Sequence, residues 1–206
     1  MADYEYDVFL SYRRSNQWPR FVHQHFFPKF KHWLDARLGH SSSVFYDAQD
    51  IETGESWPYR LAEALARSKV MVCLWSREYF SSDWCAAELG HMLARRGAVT
   101  GASGPLPLIL AVLLHDGEHI KKNALLSDIQ CFPLQEYSNP WIAEGSATAE
   151  ILSMRIQALS DHVVHALDRA PEYDPSWPSL AISEFLSLFE DRAIQTEPPS
   201  LGSGDS

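Results

Sequence analysis

The stretch "SSDWCAAELGHML", residues 81–93, places one carboxylate, Glu88, among small and apolar residues, one helical turn after Trp84. Residues four apart share one face of a helix, so the Trp84 ring would form an apolar wall beside Glu88. A carboxylate in such a setting is weakly screened and can stabilise positive charge that develops during a reaction. The structural alternative is that Glu88 interacts with the helix dipole and that Trp84 is a core residue.

A second group that could do chemistry follows the apolar run "YDVFL". Tyr12 offers an aromatic ring, and Arg13 and Arg14 offer guanidinium groups that suit a pyrophosphate. The alternative is that the arginines are solvated and pair with nearby carboxylates. We expect one of the two arginines, not both, to contact a ligand.

Three further residue types have plainer interpretations. Ser76 follows an apolar run and is expected to cap the next turn, with a ligand contact as the alternative. Cys85 has no paired histidine, since His91 lies six residues on and on another face, so it is interpreted as a packed thiol. His23 and His25 diverge on a helix and lack acidic or thiol partners at ligand spacing, so no metal site is expected.

The elements that must position these residues alternate along the chain. Five apolar runs predict strands and four periodic segments predict helices: residues 6–12, 43–47, 69–75, 106–114 and 129–134, and residues 18–38, 58–67, 83–96 and 148–167. This alternation predicts a parallel sheet with helices on both faces. Ligands collect at the carboxyl ends of such strands, near a switch in strand order. Pro28 should kink or split the first helix.

Bulk composition narrows the class of protein. A length of 206 residues with 46% hydrophobic content predicts one domain over residues 1–168, followed by a Pro-rich tail over 169–206 with a short amphipathic helix and a disordered end. A net charge of −10 argues against nucleic-acid binding. The three cysteines lie in apolar runs, which is typical of a reducing compartment. Because no export signal or membrane-spanning run is visible, we expect a cytoplasmic protein without membrane contact.

Three segments, taken together, resemble a Toll/interleukin-1 receptor (TIR) domain of the prokaryotic type. They are "YDVFLSYRRS", "VFYDAQDIETGESWPYRLAEAL" and "SKVMVCLWSREYFSSDWCAAEL", in the family's order and spacing. The resemblance implies a flavodoxin-like fold with a five-stranded parallel sheet. It also implies one of two functions. Some members are non-catalytic modules that assemble with other TIR domains, and others cleave the nicotinamide–ribose bond of NAD.

Catalytic members carry a glutamate four residues after a tryptophan at the start of the third helix, which Glu88 and Trp84 match. The resemblance therefore implies that Glu88 is catalytic. NAD would be a substrate, and no cofactor or metal is implied. The substrate-binding positions implied by the same segments, or expected from their place at the strand ends, are Phe9, Leu10, Ser11, Tyr12, Arg13, Arg14, Asp47, Trp57, Ser76 and Trp84.

Residues 47–57 resemble the family's BB loop, through which active members contact a neighbouring subunit, so self-association on activation is expected. We expect an NAD glycohydrolase or ADP-ribosyl cyclase that releases nicotinamide with ADP-ribose or a cyclic isomer. By analogy with relatives, it would act in signalling or antiphage defence, with a partner effector protein. The alternative is a non-catalytic TIR–TIR interaction module. A flavin-binding flavodoxin relative is disfavoured, because "SYRRSNQW" is not a phosphate-cradling loop.

Overall fold

The computed structural model describes residues 3–46, 57–99, 106–115, 117, 126 and 129–177, with the side chains of residues 57–59 left aside. The strands are β1 (Tyr6–Tyr12), β2 (Val44–Phe45), β3 (Ser68–Trp75), β4 (Ile109–Leu113) and β5 (Cys131–Pro133). The helices are α1 (Trp18–Phe21), α2 (Phe27–Leu38), α3 (Trp57–Ala66), α4 (Asp83–Val99) and α5 (Ala147–Asp168). Strands and helices alternate as the sequence predicts.

All five strands are parallel and lie in the order β2-β1-β3-β4-β5. This is the flavodoxin-like order, and it confirms the predicted fold class. The chain reverses its direction of travel across the sheet between β1 and β3. The carboxyl ends of these two strands, at Tyr12 and Trp75, therefore flank the switch point where ligands collect in this class of fold.

The sheet separates two apolar cores. On β1 and β3, Val8, Leu10 and Val72 point into a core shared with α1, α2 and α5. Phe9 and Met71 point into a second core, with side chains of α3 and α4. Because successive strand residues point to opposite faces, this alternation also places Ser11, two residues after Phe9, on the α4 face.

Three strands are shorter than the predicted apolar runs. Within the run at 106–114, the strand begins only at Ile109. Pro107 has no backbone N–H to donate to a neighbouring strand. Leu108 N–H instead bonds the carbonyl of Leu106 at 2.9 Å. Strands β2 and β5 occupy only the centres of the runs at 43–47 and 129–134. These three runs were therefore predicted at the right places but too long, whereas β1 and β3 match their predicted runs to within one residue.

The first helical region is split, as Pro28 predicts. A single π-helical stretch, Val22–Phe26, separates α1 from α2, and Phe27 N–H bonds the carbonyl of Val22. Pro28 lies at the start of α2, where a regular helix would lose the donor to Gln24 and bring the ring against that carbonyl. The wider turn accommodates the ring without ending the helical region.

The segment that follows α5 packs back onto the domain near the amino ends of the strands. Tyr4 hydroxyl donates to the carbonyl of Pro171 at 2.9 Å. The guanidinium of Arg95 lies 4.2 Å from the ring centre of Trp177 and donates to the Ser68 carbonyl at 2.6 Å. The amphipathic helix predicted at 181–195 lies outside the described residues. Among the described helices, none combines the length and apolar character needed to cross a bilayer.

Candidate functional site

Three side chains from separate elements meet at the carboxyl edge of the sheet. Ser11 Oγ, on β1, donates to Glu88 Oε2, on α4, over 2.5 Å. Tyr79 hydroxyl lies 2.9 Å from the same Ser11 Oγ. Because Ser11 gives its one proton to the carboxylate, Tyr79 is the donor in the second bond. The result is a chain of hydrogen bonds from Tyr79 through Ser11 to Glu88.

Local structure fixes each member of this chain. Ser11 is the sixth residue of a seven-residue strand and faces α4 by alternation. Glu88 lies in the second turn of α4 and is only 4% exposed. Tyr79 opens a 3₁₀ turn, Tyr79–Ser81, directly after β3, where its N–H donates to Ser76 Oγ at 3.1 Å. Ser76 therefore holds the start of this turn, in agreement with its interpretation as a cap.

Burial keeps two groups of the site, the Cys85 thiol and the Tyr79 phenol, protonated near neutral pH. Burial raises the pKa of the Cys85 thiol to about 12, and the Glu88 carboxylate contributes to that rise. Burial likewise raises the pKa of the Tyr79 phenol well above its usual value. Tyr79 is therefore a permanent hydrogen-bond donor near neutral pH. Cys85 stays a protonated thiol, in agreement with its interpretation as a packed residue, and its Sγ contacts the Tyr12 carbonyl at 3.7 Å.

Two arginines stand close to this cluster. Both Arg13 and Arg14 exert a field on the Cys85 thiol that opposes the effect of Glu88. Arg13 Nε donates to Ser15 Oγ at 2.9 Å, and both arginines are partly exposed. The loop after β1 thus brings two guanidinium groups close enough to act on the Cys85 thiol. Which of the two contacts a ligand stays a prediction.

A hydrogen bond between two side chains connects the loops after β1 and β3. Asn16 adopts φ 58°, in the left-handed region that asparagine tolerates better than most residues. Its Nδ2 donates to Glu78 Oε1 at 2.6 Å. A side-chain hydrogen bond therefore joins the two loops that flank the switch point, next to the arginine-bearing segment.

The remaining predicted residues of β1 are placed differently. Phe9 and Leu10 are fully buried, Phe9 being stacked on Phe45 with ring centres 5.2 Å apart. Tyr12 and Leu10 lie on the opposite sheet face from Glu88, and the Tyr12 hydroxyl is 3.1 Å from His23 Nε2. The structure thus brings Ser11, but not these side chains, into contact with Glu88. A ligand contact by Phe9 or Leu10 would involve the backbone.

Trp84 lies one turn before Glu88 on α4 and packs, partly exposed, against the core beneath α4. The predicted BB loop lies outside the described residues over 47–56, and with it Asp47. Trp57 begins α3, but its side chain is not among those described. These predictions stay open.

Sequence reasoning missed Tyr79 and Glu78 as members of this region. The signal was present, because the loop "SREYFSS" carries more polar and aromatic residues than a connection requires. It also missed the role of His23, whose two ring nitrogens lie within hydrogen-bonding distance of Tyr12 and Tyr46. A contact between side chains eleven and twenty-three residues apart leaves no periodic signal in a sequence.

Glu88 does not line the cavities described for this chain. One of about 510 Å³ lies between α5 and the strands β4 and β5, and one of about 320 Å³ lies around Tyr137. Glu88 is buried, and among the described residues the Ser11 hydroxyl contacts its carboxylate. A ligand must displace that contact to reach it.

Comparison with known proteins agrees with this architecture. The chain is 29% identical over 108 residues to the probable 2′ cyclic ADP-D-ribose synthase TcpB of Brucella abortus strain 2308, a match that covers 52% of this chain and 38% of the relative. The TcpB of Brucella melitensis biotype 1 matches with the same identity and coverage. The matched part is thus well under half of either relative's length.

Among solved structures, the chain is similar to the TIR domains of the activated Roq1 resistosome that directly recognises the pathogen effector XopQ. The TM-score is 0.50 at 21% identity, with 77% of this chain and 99% of that chain covered. This likeness concerns the fold. The TIR-domain family model matches residues 8–146, well over half of the 206 residues. The chain therefore belongs to the TIR domain family.

Proposed function

We propose that this TIR domain cleaves the bond between nicotinamide and ribose in NAD, with Glu88 as the catalytic carboxylate. The observation that carries the proposal is the position of Glu88: it is buried at the switch-point edge of the sheet and held by Ser11 at 2.5 Å. A glutamate that served only the helix dipole would gain nothing from burial in this place. The naming of the Brucella relatives as cyclic ADP-D-ribose synthases supports the same chemistry.

The proposed reaction needs one negative charge and no acid. Breaking the bond from ribose C1′ to the pyridinium nitrogen builds positive charge on the sugar, while nicotinamide departs as a neutral molecule. The leaving group needs no proton, unlike the oxygen of an ordinary glycoside. A carboxylate with low solvent exposure stabilises the cationic sugar more strongly than a hydrated one. Glu88 would serve this role, or would hydrogen-bond the ribose hydroxyls.

Substrate entry would replace an existing contact. Ribose hydroxyls are donors of the same kind as Ser11 Oγ, so they can take its place at Glu88 Oε2. Tyr79 would then keep Ser11 oriented from the other side. Arg13 or Arg14, at the end of the same strand, would contact the pyrophosphate. The proposal thus gives a role to one of the two arginines in the loop after β1.

Purified protein incubated with NAD at high protein concentration tests the proposal, with nicotinamide release followed by chromatography. We expect release by the native chain and a loss of at least about 100-fold in Glu88→Gln, which keeps the shape and removes the charge. Glu150→Gln, on the exposed side of α5, is the matched control and should retain full activity. Undiminished release by Glu88→Gln would contradict the proposal.

The fate of the cationic sugar decides between two products. Capture by water gives ADP-ribose, and capture by a group of the same dinucleotide gives a cyclic isomer. Mass analysis separates the two, because the cyclic product is lighter by one water. The names of the Brucella relatives favour a cyclic product.

A second candidate function is assembly with other TIR domains. Ile151 and Met154, three residues apart on α5, are adjacent on the helix surface, and Met154 is 66% exposed. Trp141, just before the helix, is 68% exposed. Ile151 and Met154 together are therefore the apolar surface of α5 best suited to a protein contact. If assembly alone is the function, Met154→Glu should reduce association measured by light scattering, while NAD stays intact with the native chain.

A further inference from the structure

The cavity of about 510 Å³ between α5 and the strands β4 and β5 is basic, although the chain carries a net charge of −10. Five basic side chains line it: Arg96, Arg155, His162, His165 and Arg169. No carboxylate is found among the described residues that line the cavity. Three of the 17 Lys and Arg residues thus converge on one hollow.

The cavity is elongated. Arg155, His162 and Arg169 follow each other at intervals of seven residues, so they fall on one side of α5 and its C-terminal end. At 1.5 Å per residue, Arg155 and Arg169 are about 21 Å apart along the helix axis. A phosphate chain is much shorter than this distance, so it would contact one end of the row directly, while the charge at the other end would act on it only through its field.

Helix dipoles explain only part of this clustering. Arg96 lies in the last turn of α4 and Arg169 directly follows α5, where each helix end carries about half a negative charge. One arginine at each end more than balances these partial charges. Arg155 lies in the third turn of α5, away from either helix end. Arg155 therefore lies beyond the reach of either helix-end charge.

Arg155 also has unused hydrogen-bonding capacity. Its Nε is buried and has no hydrogen-bond partner in the described part of the chain. Its Nη2 reaches the Pro133 carbonyl only at 3.4 Å, and the guanidinium lies 5.5 Å from the ring centre of Phe132. Because Nε is covered by the protein, an anionic oxygen in the cavity would contact the Nη atoms, whose bond to Pro133 is long and easily replaced.

The opposite wall is apolar. Ile109 and Phe132, on β4 and β5, contribute hydrocarbon surface to this wall, and the His162 ring stands edge-to-face to Phe132 at 5.7 Å. The volume falls in the range of small-molecule sites, which is about 300–1,000 Å³. The site therefore combines a surface for a flat ring with cationic groups spaced along one side.

We propose that this cavity binds a phosphate-bearing nucleotide, with the base against the apolar wall, the phosphates at Arg155 and the remaining arginines adding positive charge along the same cavity. It shares no lining residue with the Glu88 cluster and lies along α5 rather than at the switch-point edge. The nucleotide would thus occupy a site separate from the one where NAD cleavage is proposed. Such a site would let a second nucleotide influence the protein without competing for Glu88.

Isothermal titration calorimetry of the full chain with ATP at low salt tests this proposal. We expect binding by the native chain and a loss of about tenfold or more in the double variant Arg155→Gln/Arg169→Gln. Arg155→Lys, which keeps the charge but lacks the planar fork, should fall between the two. Arg37→Gln is the matched control, since Arg37 pairs with Asp161 on α5 outside the cavity.

Two further ligands test the chemical class. Adenosine and inorganic triphosphate should each bind at least about tenfold more weakly than ATP, because each lacks one half of the recognised group. Equal binding of triphosphate and ATP would overturn the nucleotide assignment. ATP affinity unchanged in the double variant, or no heat with the native chain, would overturn the site itself.

The outcome of the ATP-binding experiment does not depend on whether the protein cleaves NAD. ATP affinity should be the same in Glu88→Gln and in Arg14→Gln, which alter the switch-point edge. A loss of ATP affinity in Arg14→Gln with none in the double variant would place the nucleotide at the Glu88 edge and contradict the proposal. Failure of NAD cleavage alone would leave this binding experiment unaffected.

Discussion

A buried carboxylate is stable in this fold because a hydroxyl is directed at it. Ser11 supplies that hydroxyl and Tyr79 fixes its direction. The arrangement orients Glu88 before any substrate arrives. If the proposed reaction is correct, the same bond also sets a barrier, because the substrate must displace Ser11.

The strength of this bond can be measured with a double-mutant cycle. Hydrogen bonds to charged groups contribute about 1.5–3 kcal/mol, so we expect a coupling energy of about 2 kcal/mol between Ser11→Ala and Glu88→Ala, each of which removes one partner of the bond. Urea unfolding of the native chain, both single variants and the double variant gives the value. A coupling near zero would show that Ser11 does not hold Glu88 in solution.

The Cys85 thiol lies beside this cluster but should take no part in chemistry. Its pKa of about 12 leaves almost no thiolate at neutral pH. We expect iodoacetamide to modify Cys85 only after unfolding, whereas the half-buried Cys131 reacts in the native chain. Peptide mass mapping before and after denaturation measures which of the two cysteines is modified. Native-state alkylation of Cys85 ahead of Cys131 would contradict the assigned burial.

At the scale of elements, the π-helical stretch before α2 orients His23 toward the ends of β1 and β2. Its ring nitrogens lie 3.1 Å from the Tyr12 hydroxyl and 2.6 Å from the Tyr46 hydroxyl. Tyr46 is also stacked on Phe27. Tyr46, the last described residue before the predicted BB loop, is therefore connected through His23 to Tyr12, on the strand that carries Ser11. Pro28 thus affects the site indirectly, because the π-helical stretch that accommodates it also orients His23.

The connection after β4 depends on one glycine. A Cβ at Gly117 would lie 2.4 Å from the Trp75 carbonyl oxygen, at the end of β3. We expect Gly117→Ala to lower the free energy of unfolding by about 1–3 kcal/mol, because backbone must move to relieve the clash.

Gly90→Ala is the matched control for this substitution. Gly90 lies inside α4 with open space around a new Cβ, so alanine there should stabilise the chain by about 0.5–1 kcal/mol. Urea unfolding measures both changes. Equal effects of the two substitutions would contradict the close approach at Gly117.

At the scale of the whole molecule, stability depends on a polar stripe buried beneath α4. Glu88, His91 and Arg95 follow each other at spacings of three and four residues, and all three are buried. Arg95 bonds the Ser68 carbonyl and the Tyr4 hydroxyl, both at 2.6 Å. Burial, with the nearby Arg95 charge, lowers the pKa of His91 to about 4.

This lowered pKa predicts acid sensitivity. His91 binds a proton more readily unfolded, near its ordinary value of 6.5, than folded. Its contribution is therefore intact above about pH 6.5 and is lost as pH falls toward 4. We expect the native chain to lose about 2 kcal/mol more between pH 7 and pH 5 than His91→Gln does.

Urea unfolding at both pH values measures this difference. His40→Gln, at an exposed histidine, controls for the substitution itself. Identical losses in the native chain and in His91→Gln would show that the buried histidine does not titrate as expected.

The sequence by itself determined the fold class, the alternation of strands and helices and the family. Apolar runs and helical periodicity are local patterns, and they need no knowledge of distant contacts. The split of the first helix was also local, because proline acts on its own turn. Strand ends were less certain, because a strand ends where its hydrogen-bonded neighbour ends, as at Pro107.

Only the tertiary structure decided which side chains meet. Ser11 and Glu88 are 77 residues apart, and their contact depends on the strand order and on the face that Ser11 occupies. The same holds for the arginines along α5, which become one basic cavity only because β4 and β5 lie opposite them. Sequence patterns record which face a residue occupies along one element, whereas a site is made by the packing of several.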